Sequence, residues 1–452
     1  MLSHFTKQKF IPILMISLFF FVGCRLTHNQ TIIPKEWQIF FNATPVNPQI
    51  SNFNKNHLVL IAIIDSGTDY NHPLLQSNIH YKIDKDGKVL GTGWDFIGND
   101  SWPLPYLART RFLYQKDEPV IKEEEKRSLN ITHILEIEPQ LSRWLHQHRL
   151  HDEESSQKIY HGTHTAGLAS YDDPRIGILP YRILPNQESI GNESRQMMDI
   201  FYENLEAAIK KAISDGASVI SLSLGTSFGK SDRDAEHSIE LFKKFETLVN
   251  SYPQIIFVAA AGNENTWVNG QTRYSFPCGV SSKNIVCVAS MDKNGFPSEF
   301  TNIPLIDSPL VFAPGEQILA PIPDHYCHST QIENLTNDLS LKELKTLAKD
   351  ILKECDQNNK NNILPLSGTS MATPMVARVL AQEVISLKPK TIAEDVIKSF
   401  ISKSEATQLG GMSIAKILVP IPHWYPKYSD KQRLGIRASS VERGYFTLYI
   451  KK

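Results

Sequence analysis

The chain is short of net charge, of cysteine and of long apolar runs, and each shortage closes off a line of explanation. Its 47 lysines and arginines stand against 48 aspartates and glutamates, a formal net charge of −1. Without a basic surplus there is no electrostatic footing for sequence-independent binding of DNA or RNA, so no nucleic-acid partner is expected. Only five cysteines occur in 452 residues. None has C-x-x-C spacing, which argues against a zinc site. The N-terminal apolar run, residues 11–22, is well short of the ~20 residues that span a bilayer. No internal repeat is visible.

What the N-terminus does contain is informative. Lys7 and Lys9 precede the apolar run, which ends at Gly23-Cys24. A basic start, a short apolar core and a small residue form a secretory signal. Phe21-Val22-Gly23-Cys24 also resembles the lipobox of bacterial lipoproteins, with Phe21 where leucine is usual; the resemblance implies that Cys24 becomes the lipidated first residue. Arg25 is not the aspartate associated with inner-membrane retention. The expected location is therefore outside the cytoplasm, tethered to a membrane, at the outer membrane or facing the periplasm, with free secretion as the alternative. An oxidising compartment permits disulfides, and the four remaining cysteines allow three pairings. Proximity in sequence favours Cys278 with Cys287 and Cys327 with Cys355.

Residues 24–55, rich in Asn, Gln and Pro, read as a tether, and residues 56–418 as the main domain. Two polar or charged segments, at about 102–158 and 324–362, read as insertions, the second with a short helix around 341–352. Residues 419–452 form a C-terminal extension whose aromatic end, 445–450, suits an edge strand. Inside the domain, Leu58-Val59-Leu60-Ile61-Ala62-Ile63-Ile64 is an unbroken apolar run, as expected of a strand buried on both faces. Asp65 closes it. Leu205, Ala208, Ile209, Ala212 and Ile213 keep helical spacing, and Gly216 supplies a stop before a buried strand at 217–225. A second helix carries Leu241, Phe242, Phe245, Leu248 and Val249, and leads to a strand at 255–261 that ends at Gly262-Asn263. A further strand lies at 285–289, and a late helix opens with a capping box from Thr391 to Glu394. Alternating helices and continuously apolar strands predict an α/β fold, three layers with a mostly parallel central sheet.

Two stretches break this regularity. His161-Gly162-Thr163-His164 lacks the spacing and the glutamate of a zincin, and reads better as a helix with His161 at its N-terminal end. Leu366-Ser367-Gly368-Thr369-Ser370-Met371-Ala372-Thr373-Pro374 sets a serine among small residues, with a buried helix beginning near Ser370. Pro374 suits the first turn of such a helix. A serine at a helix start lies beside free backbone N–H groups that can hold a developing negative charge.

Asp65, His161, Asn263 and Ser370 each fall at a strand end or a helix start, and their types are those of acyl transfer. A serine hydroxyl attacks only when an imidazole takes its proton, and the imidazole needs a carboxylate to fix its tautomer. An asparagine amide and a helix-start N–H can then hold the oxyanion.

The segments around these four residues resemble the signature blocks of the subtilisin-like serine proteases, the subtilases, in the order Asp, His, Ser. The resemblance covers roughly residues 58–418. It implies Asp65 as orienting acid, His161 as general base and acid, Ser370 as nucleophile, and Asn263 with the Ser370 N–H as oxyanion hole. It also implies that Ser223-Leu224-Gly225 pairs with the substrate backbone, that Ala260-Ala261-Gly262 forms one wall of an open pocket, and that His164 is structural. A polypeptide substrate, a monomer and no required cofactor follow. Calcium often stabilises the family, and the oxygen-rich stretch Trp94-Asp95-Phe96 to Asp100 is the place to look for it, though it defines no ligand set. Residues 25–55 are too few for the folding-assisting propeptide of many secreted members, so the chain is expected to fold without one. The alternative is a catalytically silent lipoprotein of the same fold with a binding or scaffolding role. It is disfavoured because every catalytic position holds the right residue. A lipase or esterase fails on motif order.

Overall fold

The computed structural model describes residues 54–105 (except 71), 153–184, 195–323 (except 306 and 307) and 363–403 (except 388–390). It also describes residues 346, 350 and 422 and the strand residues 405–409, 412–420, 441–442 and 445–451. The chain divides into two units, Met1–Ala43, which lies outside the described residues, and Thr44–Lys452. Cys24 and the signal and lipobox residues belong to the former. Cys327, Cys355 and most of both insertions also lie outside the described residues. Among the described residues, no helix is long and apolar enough to cross a membrane.

The second unit is built on β1 (Val59–Asp65), β2 (Trp94–Asp95), α1 (Glu153–Ser170), β3 (Ile176–Arg182), α2 (Arg195–Ser214), β4 (Val219–Leu222), β5 (Thr226–Gly229), α3 (Ala235–Asn250), β6 (Ile256–Ala260), β7 (Arg273–Phe276), β8 (Ile285–Met291), β9 (Leu310–Pro314), β10 (Ile318–Pro321), β11 (Ile363–Leu366), α4 (Thr369–Ser386), α5 (Ala393–Ser402), β12 (Glu405–Leu409), β13 (Met412–Pro420) and β14 (Tyr445–Lys451). Seven strands run parallel in the order β2-β3-β1-β4-β6-β8-β9. Three antiparallel strands, β14, β13 and β12, extend the sheet beyond β9.

Because side chains alternate across a strand, β1 feeds two cores. Ala62 and Ile64 face a cluster with Leu205 and Ile209 of α2 and Phe245 and Val249 of α3. The five apolar residues anticipated on α3 are all buried, each worth roughly 1.5–3 kcal/mol of transfer free energy. On the other face, α4 lies across β1, β4, β6, β8 and β9 and packs against α1. Helices thus cover both faces, giving the expected three-layer α/β/α class.

Several local expectations are corrected. The helix bearing His161 starts at Glu153, so His161 is its ninth residue rather than an N-terminal one. Gly162 and the β-branched Thr163 and Thr165 are poor helix formers, but Glu153, Glu154, Gln157 and Lys158 upstream are good ones and extend the helix backwards. Helix α4 starts at Thr369, which puts Pro374 in the second turn and not the first. The α5 N-cap is Ile392, without a side-chain cap bond; the Ala393 N–H is taken instead by the Pro253 carbonyl, 3.1 Å away. The final strand is not an edge: β14 pairs with β9 on one side and β13 on the other. The strand expected at 217–225 is regular only at Val219–Leu222.

Chain order and spatial order part company at β1. From β1 the chain goes to β3 on one side, then crosses back to β4 on the other. The carboxyl ends of β1 and β4 therefore flank a topological switch point, where open α/β sheets place their ligand crevice.

Candidate active site

Asp65 is the last residue of β1 and only 1% exposed. A carboxylate withdrawn from water this far needs donors, and three groups supply them. The Ser66 N–H donates at 2.6 Å, and the Thr165 hydroxyl at 3.3 Å. His161 Nδ1 lies 2.8 Å from one carboxylate oxygen and 2.9 Å from the other. The His161 side chain is 22% exposed, so its far edge opens outward while its near edge is fixed. Burial acts against the imidazolium. The charge of Asp65 and the hydrogen bond to it outweigh burial and hold His161 above the ordinary histidine value.

The approach of α1 to the loop after β1 depends on Gly162. A Cβ there would lie 2.1 Å from the Gly67 carbonyl oxygen. Across this contact, the Gly162 N–H donates to Ser66 Oγ and the Thr68 hydroxyl donates to the Gly162 carbonyl. The Asp69 N–H donates to Thr163 Oγ1 at 2.9 Å. His164, one turn on, is fully buried, and its Nε2–H lies 2.9 Å from the Ile318 carbonyl and 3.0 Å from that of Leu364. It ties α1 to the antiparallel pair β10 and β11, and burial lowers its pKa to about 3.

Ser370 is the second residue of α4. Its hydroxyl donates to the Ser223 carbonyl at 3.1 Å, so this hydrogen bond does not go to His161. In return the Ser223 hydroxyl donates to the Ser370 carbonyl at 2.9 Å. Pro374 explains why that carbonyl is free. It stands four residues on, where a helical N–H would otherwise bond, and proline has none.

Asn263 follows β6 and is exposed. Its Oδ1 accepts from the Thr369 N–H at 2.9 Å and from the Thr369 hydroxyl at 3.0 Å. The Thr369 hydroxyl oxygen also accepts from the Gly262 N–H. With Oδ1 engaged, the Asn263 NH2 is turned the other way. The space left by the absent side chain of Gly368 reports where: a Cβ there would lie 3.5 Å from Asn263 Nδ2 and 3.7 Å from the Ser370 nitrogen. Two donors thus border one small volume beside the serine.

Ser223, Leu224 and Gly225 follow β4, and Ala260, Ala261 and Gly262 close β6, its parallel neighbour. The end of β7 touches both segments. Phe276 carbonyl oxygen occupies the space a Gly225 Cβ would need, at 2.2 Å, and the Ser275 hydroxyl donates to Ala261 at 2.7 Å.

Cys278 and Cys287 are joined, with Cα atoms 5.0 Å apart, the pairing that proximity favours. The oxygen-rich turn at 94–100 is held by hydrogen bonds to Asp95. Asp95 Oδ1 accepts from the N–H groups of Ile97 and Gly98, and its Oδ2 is paired with Arg182 at 3.1 Å. Among the described residues, no group of three or more His, Cys, Asp or Glu is gathered as a metal site.

Thr369 and Gly162 carry much of this geometry, and neither was singled out from sequence. Both adjoin a candidate catalytic residue, Ser370 or His161, and that adjacency was their only signal.

A model of the subtilase family matches residues 56–417. Thermitase from Thermoactinomyces vulgaris is 27% identical over 342 residues, 74% of this chain and 77% of that protein. The minor extracellular protease Vpr of Bacillus subtilis (strain 168) is 26% identical over 175 residues, 38% of this chain and 15% of its own length. Among solved structures, a lanthipeptide protease aligns with a TM-score of 0.47 at 21% identity, covering 83% of this chain and 88% of that one. A cold-adapted subtilisin-like serine proteinase gives 0.44 at 18% identity, covering 79% and 86%.

Proposed function

Because the chain belongs to the subtilase family, we propose that it cleaves polypeptides through an acyl-enzyme on Ser370, with His161 as general base and acid and Asp65 as its orienting carboxylate. The class of activity, a subtilisin-like serine endopeptidase, follows from the family. The residue roles are our reading. The observation that carries it is the His161 Nδ1 contact with both oxygens of a buried carboxylate.

Asp65 fixes Nδ1 as the protonated nitrogen, which leaves Nε2 as the lone pair available for a proton. The Ser370 hydroxyl exchanges its bond to the Ser223 carbonyl for one to Nε2, a rotation about a single side-chain torsion between staggered wells. As Ser370 Oγ attacks the scissile carbonyl carbon, its proton passes to Nε2. The carbonyl π electrons move to oxygen, which accepts from Asn263 Nδ2–H and the Ser370 N–H. Collapse of the tetrahedral species breaks the C–N bond, and the imidazolium returns the proton to the leaving amine. Water then repeats the sequence on the ester. Losing one oxyanion donor costs about 2.7–4 kcal/mol of barrier, so Asn263 ranks close to the triad.

In this reading Ser223-Leu224-Gly225 pairs with the substrate backbone, and Ala260-Ala261-Gly262 forms a small-residue wall. At the N-terminus, the proposal includes export and lipidation at Cys24, tested by radiolabelled palmitate incorporation in wild type and Cys24→Ser.

The Ser370–Ser223 hydrogen bond is what would favour the silent reading. A fluorophosphonate probe separates the two, with casein hydrolysis measured alongside. Labelling of wild type and none of Ser370→Ala supports the enzyme. A folded wild type that neither labels nor cleaves casein refutes it.

A further inference from the structure

Asn263 sits in a segment with no ladder of its own. Between the end of β6 at Ala260 and Trp267 the chain forms no regular structure, and it passes through positive φ at Gly262 (101°) and Asn265 (48°). A loop of this kind holds an amide in one place only if something outside it supplies the missing hydrogen bonds.

One buried side chain does so. Asn302, fully buried, lies far along the chain, just before Ile303–Pro304, which pair in parallel with Trp267–Val268. Its backbone N–H donates to the Gly262 carbonyl at 3.0 Å. Its Nδ2 donates to the Ala261 carbonyl at 3.0 Å and to the Glu264 carboxylate. Its Oδ1 accepts from the N–H groups of Glu264 at 3.2 Å and Thr266 at 3.1 Å. These bonds bracket Asn263 on both sides.

Gly262 makes room for the arrangement. A Cβ at that position would lie 2.4 Å from Asn302 Nδ2 and 2.6 Å from Glu264 Oε2. The glycine and the amide therefore fit as a pair, and Asn302 takes hold of a carboxylate that adjoins Asn263 in sequence.

We propose that Asn302 is a positioning residue for the oxyanion donor: it holds the backbone on both sides of Asn263 while Thr369 holds the Asn263 Oδ1. The inference rests on the proposed role of Asn263. It gives Asn302 no contact with substrate, so its effect must run through Asn263.

The test is a double-mutant cycle on peptide hydrolysis with Asn302→Ala, Asn263→Ala and both together. Asn302→Ala is expected to lower kcat roughly 10- to 100-fold, less than deleting the donor, with KM within about twofold, because the bond to the oxyanion exists only in the transition state. In the Asn263→Ala background, Asn302→Ala should change kcat by less than about threefold if the two act as a unit. A second variant guards against misfolding. Asn302→Asp loses the side-chain donors and sets a second carboxylate against Glu264, and Glu264→Gln should restore part of the activity by donating to it, the bond to the Ala261 carbonyl staying lost. Additive losses in the cycle, or a Glu264→Gln change that leaves Asn302→Asp as impaired as before, overturn the inference. If wild type hydrolyses peptides and Asn302→Ala matches it, the positioning role alone fails. If folded wild type hydrolyses nothing, the proposed function fails and this inference with it.

Discussion

Replacing Gly162 by alanine places a Cβ 2.1 Å from the Gly67 carbonyl oxygen. Non-bonded carbon contacts settle near 3.5 Å, so the two backbones must part by at least about 1 Å. Neither partner is a flexible side chain that can swing aside. His161 is the preceding residue, and its Nδ1 is held at 2.8 and 2.9 Å from the Asp65 oxygens. Carried away by about 1 Å, it passes the limit of a useful hydrogen bond. A misplacement of this size costs about 100-fold, and full loss of the carboxylate's control of the imidazole costs about 10⁴-fold in kcat. The expected fall in kcat for Gly162→Ala is therefore roughly 10²- to 10⁴-fold. Steady-state hydrolysis of a chromogenic peptide gives the turnover, and thermal unfolding with near-ultraviolet circular dichroism gives the folded fraction. A folded Gly162→Ala enzyme with wild-type kcat would falsify the idea that this close approach sets His161 on Asp65.

Two other perturbations test neighbouring parts of the site. His161 must be neutral to accept a proton, and Asp65 holds its pKa above the ordinary value against burial. The acid limb of kcat/KM in wild type should therefore lie above pH ~6.5. Asp65→Asn should lower kcat by about 10⁴-fold and move that limb to lower pH, since burial then acts unopposed. The same raised pKa contributes stability below the unfolded histidine value, and that contribution is lost as pH rises through the folded one. The Tm gap between wild type and Asp65→Asn should accordingly be larger in acid than in alkali, and an equal gap would count against the ion pair. His164→Ala strips a donor from two carbonyls on the paired strands β10 and β11. A loss of about 1–3 kcal/mol is expected, seen as a lower midpoint in urea. Turnover per folded molecule should change far less, and a collapse of kcat without loss of stability would contradict a structural role.

The strands and helices with strong periodicity were legible in the chain. The apolar run from Val59 to Ile64 and the helix spacing after Leu205 report burial directly, because a side chain's face follows from its position in a regular element, whereas Leu58, at the head of the run, precedes β1 and is exposed. The beginnings and ends of elements were less legible. The cap of α5 and the neighbours of β14 are each decided by a partner distant in sequence, such as the Pro253 carbonyl at Ala393.

Local sequence determined which residue types are available for the chemistry: a carboxylate, an imidazole, an amide and a hydroxyl. It could do so because each type announces its chemistry whatever its surroundings. Only the tertiary structure decided how they are held. Asp65 meets His161 because Gly162 lacks a side chain where Gly67 passes. The Ser370 carbonyl meets Ser223 because Pro374 cannot claim it. Asn263 is fixed between Thr369 and the loop that Asn302 braces. These are contacts between atoms some forty to more than a hundred residues apart, and distances of that kind are set by packing and carry no periodic trace in the chain.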